Sequence, residues 1–340
     1  MKFEAVRIAA LEAVLPETRV TSDALEERIL PLYERLRLHV GRLELMSGIR
    51  ERRFWEPGTR PSAVAARAGA AALEASGVDP ASIGVLVHAS VCRDFLEPAT
   101  ASVVHAELGL PGTCQAFDLS NACLGFANAM ALAGGMIERG EIAAGMVVAG
   151  EDGGPLVQET LRMLAEDPSV DRAALKRAYA SLTIGAGAAA CVLDRSGAHR
   201  LVGGTARAAT EHHELCAGDR TDGEGPLMET DSEALLQAGN ALARVTWDAF
   251  QEEHGWERDS IDRIVTHQVG VAHKRLLFET LELDHARDFT TVETLGNMGS
   301  VSLPATLSLA AGEGFVRPGH RVVLQGIGSG LHCLMLAVEW

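Results

Sequence analysis

One cysteine of this chain stands where a nucleophile is expected. Cys123 follows a strand-like run that breaks on small residues, and an apolar stretch continues from Phe126 to Arg139. Gly140 ends that stretch, so the pattern predicts a helix with Cys123 in its first turn. Unpaired N–H groups and the helix dipole favour a thiolate at that place, and a thiolate attacks carbonyl carbon. The competing interpretation is a buried structural cysteine.

Two polar residues in the second half of the chain are candidates to assist Cys123. His267 ends a predicted strand, and open α/β sheets bind ligands at strand ends. Asn297 lies in a turn between Gly296 and Gly299, where the backbone can approach a substrate and the amide can be aimed. The Gly-rich run 326–330 follows another predicted strand and could supply an N–H to an oxyanion. Taken singly, each has a structural explanation as well, such as a turn-forming asparagine.

Metal and dinucleotide sites are not expected. His212, His213 and Cys216 lack a fourth ligand at a usable spacing. The glycines at 185 and 187 do not complete a dinucleotide fingerprint. The cysteines show no C-x-x-C spacing and predict neither a zinc site nor a disulfide framework. They are Cys92, Cys114, Cys123, Cys191, Cys216 and Cys333.

The elements that position these residues alternate along the chain. A hydrophobic fraction of 47% with only 4% aromatic residues is typical of α/β proteins whose helices pack closely on a sheet. The order predicts a layered α/β protein with mixed sheets. Strands are predicted over 6–10, 83–89, 146–149, 188–193, 264–266 and 322–325. Helices are predicted over 61–76, 99–108, 123–139, 159–165, 172–180, 233–254, 271–281 and 303–312. Residues 211–231 are polar and predict a surface loop.

An internal similarity predicts that one α/β unit is duplicated. Residues 78–91 and 257–269 both read as an acidic-Ser-Ile turn followed by a strand that ends near a histidine. Residues 140–150 and 319–330 both read as a glycine turn, an apolar strand and a glycine-containing end. Because these pairs are separated by about half the chain, they indicate two similar halves rather than a short repeat. We place the halves at 1–196 and 197–340.

Charge and hydropathy exclude several classes of function. The 340 residues are enough for two domains or one duplicated fold. A formal net charge of −16 argues against a nucleic-acid partner, which would require a basic face. No apolar run approaches the roughly 20 residues of a membrane span. The first residues lack the apolar core of a signal peptide, so a cytoplasmic location is expected.

Taken together, the candidate residues carry a family resemblance. Asn-Ala-Cys at Cys123, His-Gln-Val at His267 and Gly-Asn-Met-Gly at Asn297 stand in the order and context of the thiolase-like condensing enzymes of the ketoacyl synthase III group. The resemblance extends over residues 6–340. It implies the thiolase fold, a five-layer αβαβα arrangement built from two duplicated halves, and a homodimer. The internal duplication agrees with this.

Within that group the chain is most similar to the OleA-type enzymes of long-chain olefin biosynthesis. The similarity is carried by residues 48–53, 90–102 and 326–331. It implies that Glu97 reaches the active site of the neighbouring subunit and acts there as a base. Without the resemblance, Glu97 before Pro98 would be interpreted as a solvated loop carboxylate.

The resemblance also implies a reaction. Cys123 takes the acyl group of a fatty acyl-CoA, with its own N–H and that of Gly330 as the oxyanion hole. A second acyl-CoA presents its carbonyl oxygen to His267 and Asn297 and loses an α-proton to Glu97. The enolate attacks the acyl-cysteine in a non-decarboxylative Claisen condensation, and the product is hydrolysed to a 2-alkyl-3-keto acid. No metal and no cofactor beyond the CoA thioesters is expected.

Three alternatives stay open at this stage. A ketoacyl synthase III would use malonyl-ACP, whose decarboxylation yields the enolate without a carboxylate base. An acyltransferase of the same fold would pass the acyl group to oxygen or nitrogen. A non-catalytic partner subunit is a third, against which the complete set of Cys, His and Asn argues. Arg50, Arg53 and Arg207 are candidate CoA contacts, although singly they also read as surface charges.

Overall fold

The computed structural model describes residues 1–220 and 226–340. The described residues form strands β1 (Arg7–Val14), β2 (Thr18–Thr21), β3 (Glu51–Phe54), β4 (Ile83–His88), β5 (Gln115–Asp118), β6 (Ala144–Asp152), β7 (Ala186–Asp194), β8 (His199–Ala208), β9 (Cys216–Arg220), β10 (Pro226–Thr230), β11 (Arg263–Thr266), β12 (Arg321–Gly328) and β13 (His332–Glu339). The α-helices are α1 (Ser22–Glu27), α2 (Leu30–Leu36), α3 (Arg42–Ser47), α4 (Pro61–Ser76), α5 (Thr100–Glu107), α6 (Gly125–Glu138), α7 (Gly154–Glu166), α8 (Arg172–Leu182), α9 (Ser232–His254), α10 (Val271–Leu281), α11 (Val292–Leu295) and α12 (Ser302–Gly312).

The sheet order repeats between the two halves of the chain. Nine strands of the described chain run in the order β11-β12-β13-β8-β1-β7-β6-β4-β5. Outward from β1, the first half continues with β7, β6, β4 and β5. Outward from β8, the second half continues with β13, β12 and β11. In each half, the last strand of that half along the chain therefore pairs beside the first one. In the second half a single parallel bridge between Ile264 and Asp288 takes the place that β5 has in the first. The topology therefore shows the duplication that the sequence predicts.

Helices and strands alternate in five layers. Helices α6 and α12 lie in the middle and contact strands of both halves. Helices α4 and α5 cover the outer face of the first half, and α9 and α10 cover the outer face of the second. Strand β7 is buried on both faces and consists mainly of Ala, Val and Leu, because helices pack closely against each side of it. This is the thiolase fold, as the resemblance implies.

Several helix boundaries follow directly from the sequence. Helix α4 begins with Pro61 at its first position and ends before Gly77, which takes a left-handed conformation with φ +64°. The Asp231 side chain accepts a hydrogen bond from the N–H of Ala234 and caps the start of α9. Gly255 ends α9 in the same left-handed way. The predicted helices at 61–76 and 271–281 are confirmed at both ends.

Two regions differ from the sequence-based prediction. Residues 211–231 are not a surface loop in the part that the structure describes, because β9 and β10 form an antiparallel hairpin there; residues 221–225 lie outside the described residues. Helices α1 to α3 are not among the predicted helices, although Thr21 caps α1, Pro31 lies in the first turn of α2 and Gly48 ends α3. They are held by the buried carboxylate of Glu26, which accepts hydrogen bonds from the Tyr33 hydroxyl at 2.7 Å and the Leu43 N–H at 2.7 Å. Tertiary contacts therefore add to the local signals in that region.

The boundary at residue 197 stays a prediction. The chain turns there between β7 and β8, where the Asp194 carboxylate accepts hydrogen bonds from the N–H groups of Ser196 and Gly197. Strands β1 and β8 pair next to this turn, and the central helices contact both halves.

Among the described helices, none combines the length and the apolar composition that a membrane span requires.

Candidate active site

The three residues singled out from the sequence meet in one cavity of about 490 Å³. Cys123 lies in a short 3₁₀ helix, Ala122–Leu124, directly before α6. His267 follows β11, and Asn297 lies in the turn after α11. Strand ends and helix starts from both halves of the chain thus converge at the same place.

The turn that carries Cys123 is fixed by strain and close packing. Ala122 has φ +46°, a left-handed conformation that costs an L-residue about 1 kcal/mol. A Cβ added at Gly326 would lie 2.3 Å from a methyl carbon of Leu124, and one at Gly328 would lie 3.1 Å from the Leu124 Cγ. The glycines of this strand therefore let Leu124 pack beside Cys123. This is a different role from the oxyanion contact proposed for the run 326–330 as a whole.

Burial holds Cys123 in the thiol form. Desolvation raises the pKa of the thiol to about 12, with further contributions from the Glu151 carboxylate and from Cys216. The backbone N–H of Cys123 acts in the opposite direction and is the smaller effect. The expectation that the helix start favours a thiolate is wrong in this structure, because burial and a nearby negative charge outweigh the dipole. Nucleophilic attack therefore requires a group that takes the thiol proton.

His267 lines the same cavity as a neutral imidazole. Burial lowers the pKa of its imidazole to about 4, so the ring is neutral at pH 7. Neither ring nitrogen has a hydrogen-bond partner within the described part of the chain. The backbone N–H of His267 donates to the carbonyl of Gln325 at 2.8 Å and fixes the residue at the end of its strand. One nitrogen of the ring can accept a proton and the other can donate a hydrogen bond.

Asn297 is aimed by its own turn. Its side-chain oxygen accepts a hydrogen bond from the N–H of Gly299 at 3.0 Å, which leaves the amide N–H₂ as the group available to a ligand. Its backbone N–H donates to the Thr183 carbonyl at 2.9 Å, and its own carbonyl accepts from the N–H of Gly185 at 2.8 Å. A Cβ at Gly296 would lie 2.6 Å from the Thr183 carbonyl oxygen. Gly296 therefore serves a backbone approach to Thr183, whereas the sequence suggested an approach to substrate.

Sequence reasoning missed Glu151. It lies near the end of β6, is only 3% exposed and lines the cavity. The signal was present, because two acidic residues, Glu151 and Asp152, follow a strand of apolar and glycine residues. The predicted strand ends at residue 149, so both acidic residues fall outside it. A charged residue at the end of a central strand deserves the same weight as the histidine at the end of β11.

Glu97 does not lie in the cavity of its own chain. It is exposed, in a loop that we call the 91–99 loop, beside Phe95 and Leu96, which are 40% and 89% exposed. The Asp94 carboxylate in this loop accepts hydrogen bonds from the Ser62 N–H at 2.9 Å and the Ser62 hydroxyl at 2.6 Å. A base role in a neighbouring subunit is compatible with this exposure and stays a prediction.

The predicted oxyanion contact of Gly330 is not among the cavity contacts. Gly330 is not among the residues that line the cavity, although Ser329 and Leu331 on either side of it are. The oxyanion contact by Gly330 therefore stays a prediction, and Ser329 is the nearer candidate.

None of the three candidate arginines lines the cavity. Arg50 is exposed. Arg53 donates a hydrogen bond to the Pro16 carbonyl at 3.1 Å. Arg207 pairs with Glu253 at 3.2 Å. Among the described residues, the cationic side chains that line the cavity are those of Lys176 and Lys274.

Comparisons with known proteins identify the family of this chain. The model of the 3-oxoacyl-[acyl-carrier-protein (ACP)] synthase III family matches residues 117–209, and the model of its C-terminal part matches residues 251–340. An acyl-CoA:acyl-CoA alkyltransferase of Shewanella oneidensis is 38% identical, with the full length of both chains covered. One from Xanthomonas campestris is also 38% identical over the full length of both.

Solved structures of Xanthomonas campestris OleA superpose closely on this chain. A cerulenin-bound form has a TM-score of 0.96 and 38% identity, and the match covers 100% of this chain and 98% of that one. A cysteine-to-serine variant with bound lauric acid and lauroyl-CoA has a TM-score of 0.94 and 37% identity, covering 99% of this chain and 100% of that one. Other structures of the same protein carry substitutions of a glutamate or of a histidine.

Proposed function

The chain belongs to the family of acyl-CoA:acyl-CoA alkyltransferases, and from this membership we propose that it joins two fatty acyl-CoA thioesters by a non-decarboxylative Claisen condensation. The observation that carries the proposal is the meeting of Cys123, His267 and Asn297 in one cavity. Few of the polar groups that line the cavity are charged. Apolar side chains such as Leu235, Leu236 and Leu277 also line it, and an alkyl chain can pack against them.

The first half-reaction acylates Cys123. The neutral imidazole of His267 takes the thiol proton, and the sulfur attacks the thioester carbonyl. The tetrahedral oxyanion is held by the N–H of Cys123 and by an N–H of the 329–330 turn, from Gly330 or Ser329. The carbon–sulfur bond to CoA then breaks, and CoA leaves as its thiol with the proton that His267 returns.

The second half-reaction forms the carbon–carbon bond. The carbonyl oxygen of a second acyl-CoA accepts hydrogen bonds from the Asn297 amide and from the His267 ring, which stabilise an enolate. Glu97 from a second copy of the chain removes the α-proton. The enolate carbon attacks the acyl carbonyl, the bond to Cys123 sulfur breaks, and 2-alkyl-3-ketoacyl-CoA forms. The sulfur takes up the proton that Glu97 removed, which restores the thiol and the carboxylate. Water then hydrolyses this thioester to the keto acid.

The second copy is part of the proposal. Glu97 faces solvent in one chain, and the apolar residues around it, Val91 and Leu96, are 54% and 89% exposed. A homodimer that covers these side chains and brings Glu97 to the partner's cavity accounts for both facts. We also propose that the enzyme works in the cytoplasm, where cysteine thiols stay reduced, and that it needs no cofactor, because the condensation uses only the CoA thioesters.

The condensation of two acyl-CoA molecules is tested by supplying lauroyl-CoA as the sole substrate. With lauroyl-CoA alone, we expect a mass increase of one acyl group on Cys123 and formation of the C24 β-keto acid or the ketone that follows from its decarboxylation. Glu97→Ala should keep the mass increase and lose the product. Cys123→Ala is the matched control and should lose both. Unchanged turnover in Glu97→Ala would remove Glu97 from the mechanism.

The match to the ketoacyl synthase III family model supports a second candidate, decarboxylative condensation with malonyl-ACP. In that reaction the loss of CO₂ creates the enolate, and no carboxylate base is needed. Acyl carrier protein would then be a partner. Supplying malonyl-ACP with acyl-CoA tests it directly: product in this arm alone would overturn the condensation of two acyl-CoAs.

A further inference from the structure

We propose that Glu151 is a positioning residue that joins the 91–99 loop to the Asn297 turn and places a fixed negative charge beside Cys123. The inference rests on the proposed function, because it concerns the step in which Glu97 and Asn297 act together. It assigns to Glu151 a role in condensation, as distinct from acylation.

The hydrogen bonds of Glu151 connect three segments of the chain. Its Oε1 accepts from the N–H of Val91 at 2.9 Å. The same oxygen accepts from the Ser300 N–H at 3.1 Å and from the Ser300 hydroxyl at 2.7 Å. Its Oε2 accepts from the N–H of Cys92 at 3.0 Å. The carboxylate at the end of β6 thus binds the first residues of the 91–99 loop and the residue three positions after Asn297.

The turn after Asn297 is shaped to this carboxylate. Gly299 has φ +56°, and a Cβ added there would lie 2.8 Å from the Glu151 Oε1. A side chain at this position would therefore displace either Glu151 or the turn. All four hydrogen bonds place Glu151 as the acceptor, the pattern that suits an ionised carboxylate. A neutral amide would turn an N–H₂ group toward at least one of these N–H donors.

The far end of the 91–99 loop is held in the same manner. The Asp118 carboxylate accepts hydrogen bonds from the N–H groups of Thr100 at 2.9 Å and Ala101 at 2.8 Å. Both ends of the loop are thus fixed by acceptors from neighbouring strands, while Glu97 stays exposed near its tip. Glu151 controls the end that lines the cavity, because Val91 and Cys92 are cavity residues.

Glu151 also acts on the nucleophile through its charge. After burial itself, its carboxylate is the largest of the influences that raise the pKa of the Cys123 thiol. Removing the charge should lower the pKa and increase the thiolate fraction near neutral pH. A residue that merely supports the fold would not produce that change. The two effects of Glu151, on loop position and on thiol reactivity, are therefore separable.

Two substitutions separate the effect of Glu151 on loop position from its effect on thiol reactivity. Glu151→Gln keeps the length of the side chain and removes its charge, whereas Glu151→Asp keeps the charge and shortens the reach. In the full-length protein, alkylation of Cys123 by iodoacetamide is followed against pH and quantified on the Cys123 peptide. We expect Glu151→Gln to be alkylated faster than the wild type at each pH, and Glu151→Asp to be alkylated at the wild-type rate.

Both variants are then supplied with lauroyl-CoA, and the rates of acylation and condensation are measured separately. We expect the ratio of condensation to acylation to fall at least tenfold in each. A Gln profile that coincides with the wild type, or an unchanged ratio in both variants, would overturn the proposal.

Ser300→Ala is used as an alternative test if neither Glu151 variant folds. It removes the 2.7 Å hydrogen bond and leaves the charge in place. Its ratio of condensation to acylation should fall about threefold, and an unchanged ratio would contradict the role of Glu151. The alkylation profiles need no acyl-CoA, so a wild-type protein that fails to condense acyl-CoA would refute the proposed function without deciding the charge effect.

Discussion

The cavity centre and the 91–99 loop are built in opposite ways. Cys123, His267 and Asn297 meet inside one chain, and the last two are held by backbone hydrogen bonds. The loop is fixed at both ends by buried or half-buried carboxylates, yet it exposes Leu96 and Glu97 to solvent. The difference teaches that one chain has the residues for the proposed acylation, whereas the proposed condensation draws on Glu97, which lies outside the cavity of its own chain.

Removing the Cys123 sulfur should have the largest effect of the predicted substitutions and tests the cavity centre. Cys123→Ala should reduce acylation and condensation together by about 10⁴-fold or more, because the proposed mechanism forms its covalent intermediate on the Cys123 sulfur. Intact-mass measurement after incubation with lauroyl-CoA checks the first effect, and product analysis checks the second. Acylation that persists at another residue, such as the cavity cysteines Cys92 or Cys216, would place the nucleophile elsewhere.

The buried imidazole makes the stability of the centre depend on pH. His267 has a pKa of about 4 when folded, against an ordinary value of 6.5. The unfolded chain therefore binds a proton first as pH falls, and stability is lost between pH 6.5 and 4. This one group contributes about 3 kcal/mol to the loss.

Urea unfolding at pH 7 and pH 4.5 checks this expectation. His267→Asn should show a smaller loss of stability over the interval than the wild type does. Equal losses in the two proteins would mean that His267 is solvated or charged in solution, and the centre would then be less closed than the structure indicates.

An apolar residue at the tip of the loop tests the exposed region. Leu96→Asp should weaken the proposed homodimer and lower condensation about tenfold, because a charge would be placed in a covered interface. The acyl mass on Cys123 should still form. Analytical ultracentrifugation and product analysis give the two readouts.

Val245→Asp is a matched control on another surface, because Val245 is 55% exposed and lies on α9. It should change neither the oligomeric state nor the product yield. Equal effects of the two substitutions would show that the 91–99 loop has no special part in assembly.

Much of the centre could be predicted from the sequence. A cysteine at a break, a histidine at a strand end and an asparagine between glycines each sit at a chain position where backbone geometry dictates access. The duplication was visible because each half repeats the same acidic turn and strand. Helix limits marked by Pro61 and Gly77 were equally direct.

Other features depend on contacts between distant segments, and local patterns do not reveal them. The raised pKa of Cys123 comes from burial and from Glu151, which is 28 positions away along the chain. The glycines at 296 and 299 fit Thr183 and Glu151, partners that no spacing rule indicates. The packing of helices α1 to α3 depends on one buried carboxylate, that of Glu26.

The most direct test asks whether two inactive variants restore each other. Cys123→Ala and Glu97→Ala are co-expressed with different affinity tags, and the doubly tagged species is isolated. In such a dimer one site has both Cys123 and the partner's intact Glu97, so we predict about half the condensation rate of the wild-type dimer. A mixed species that is as inactive as either variant alone would contradict a reaction centre shared between two copies.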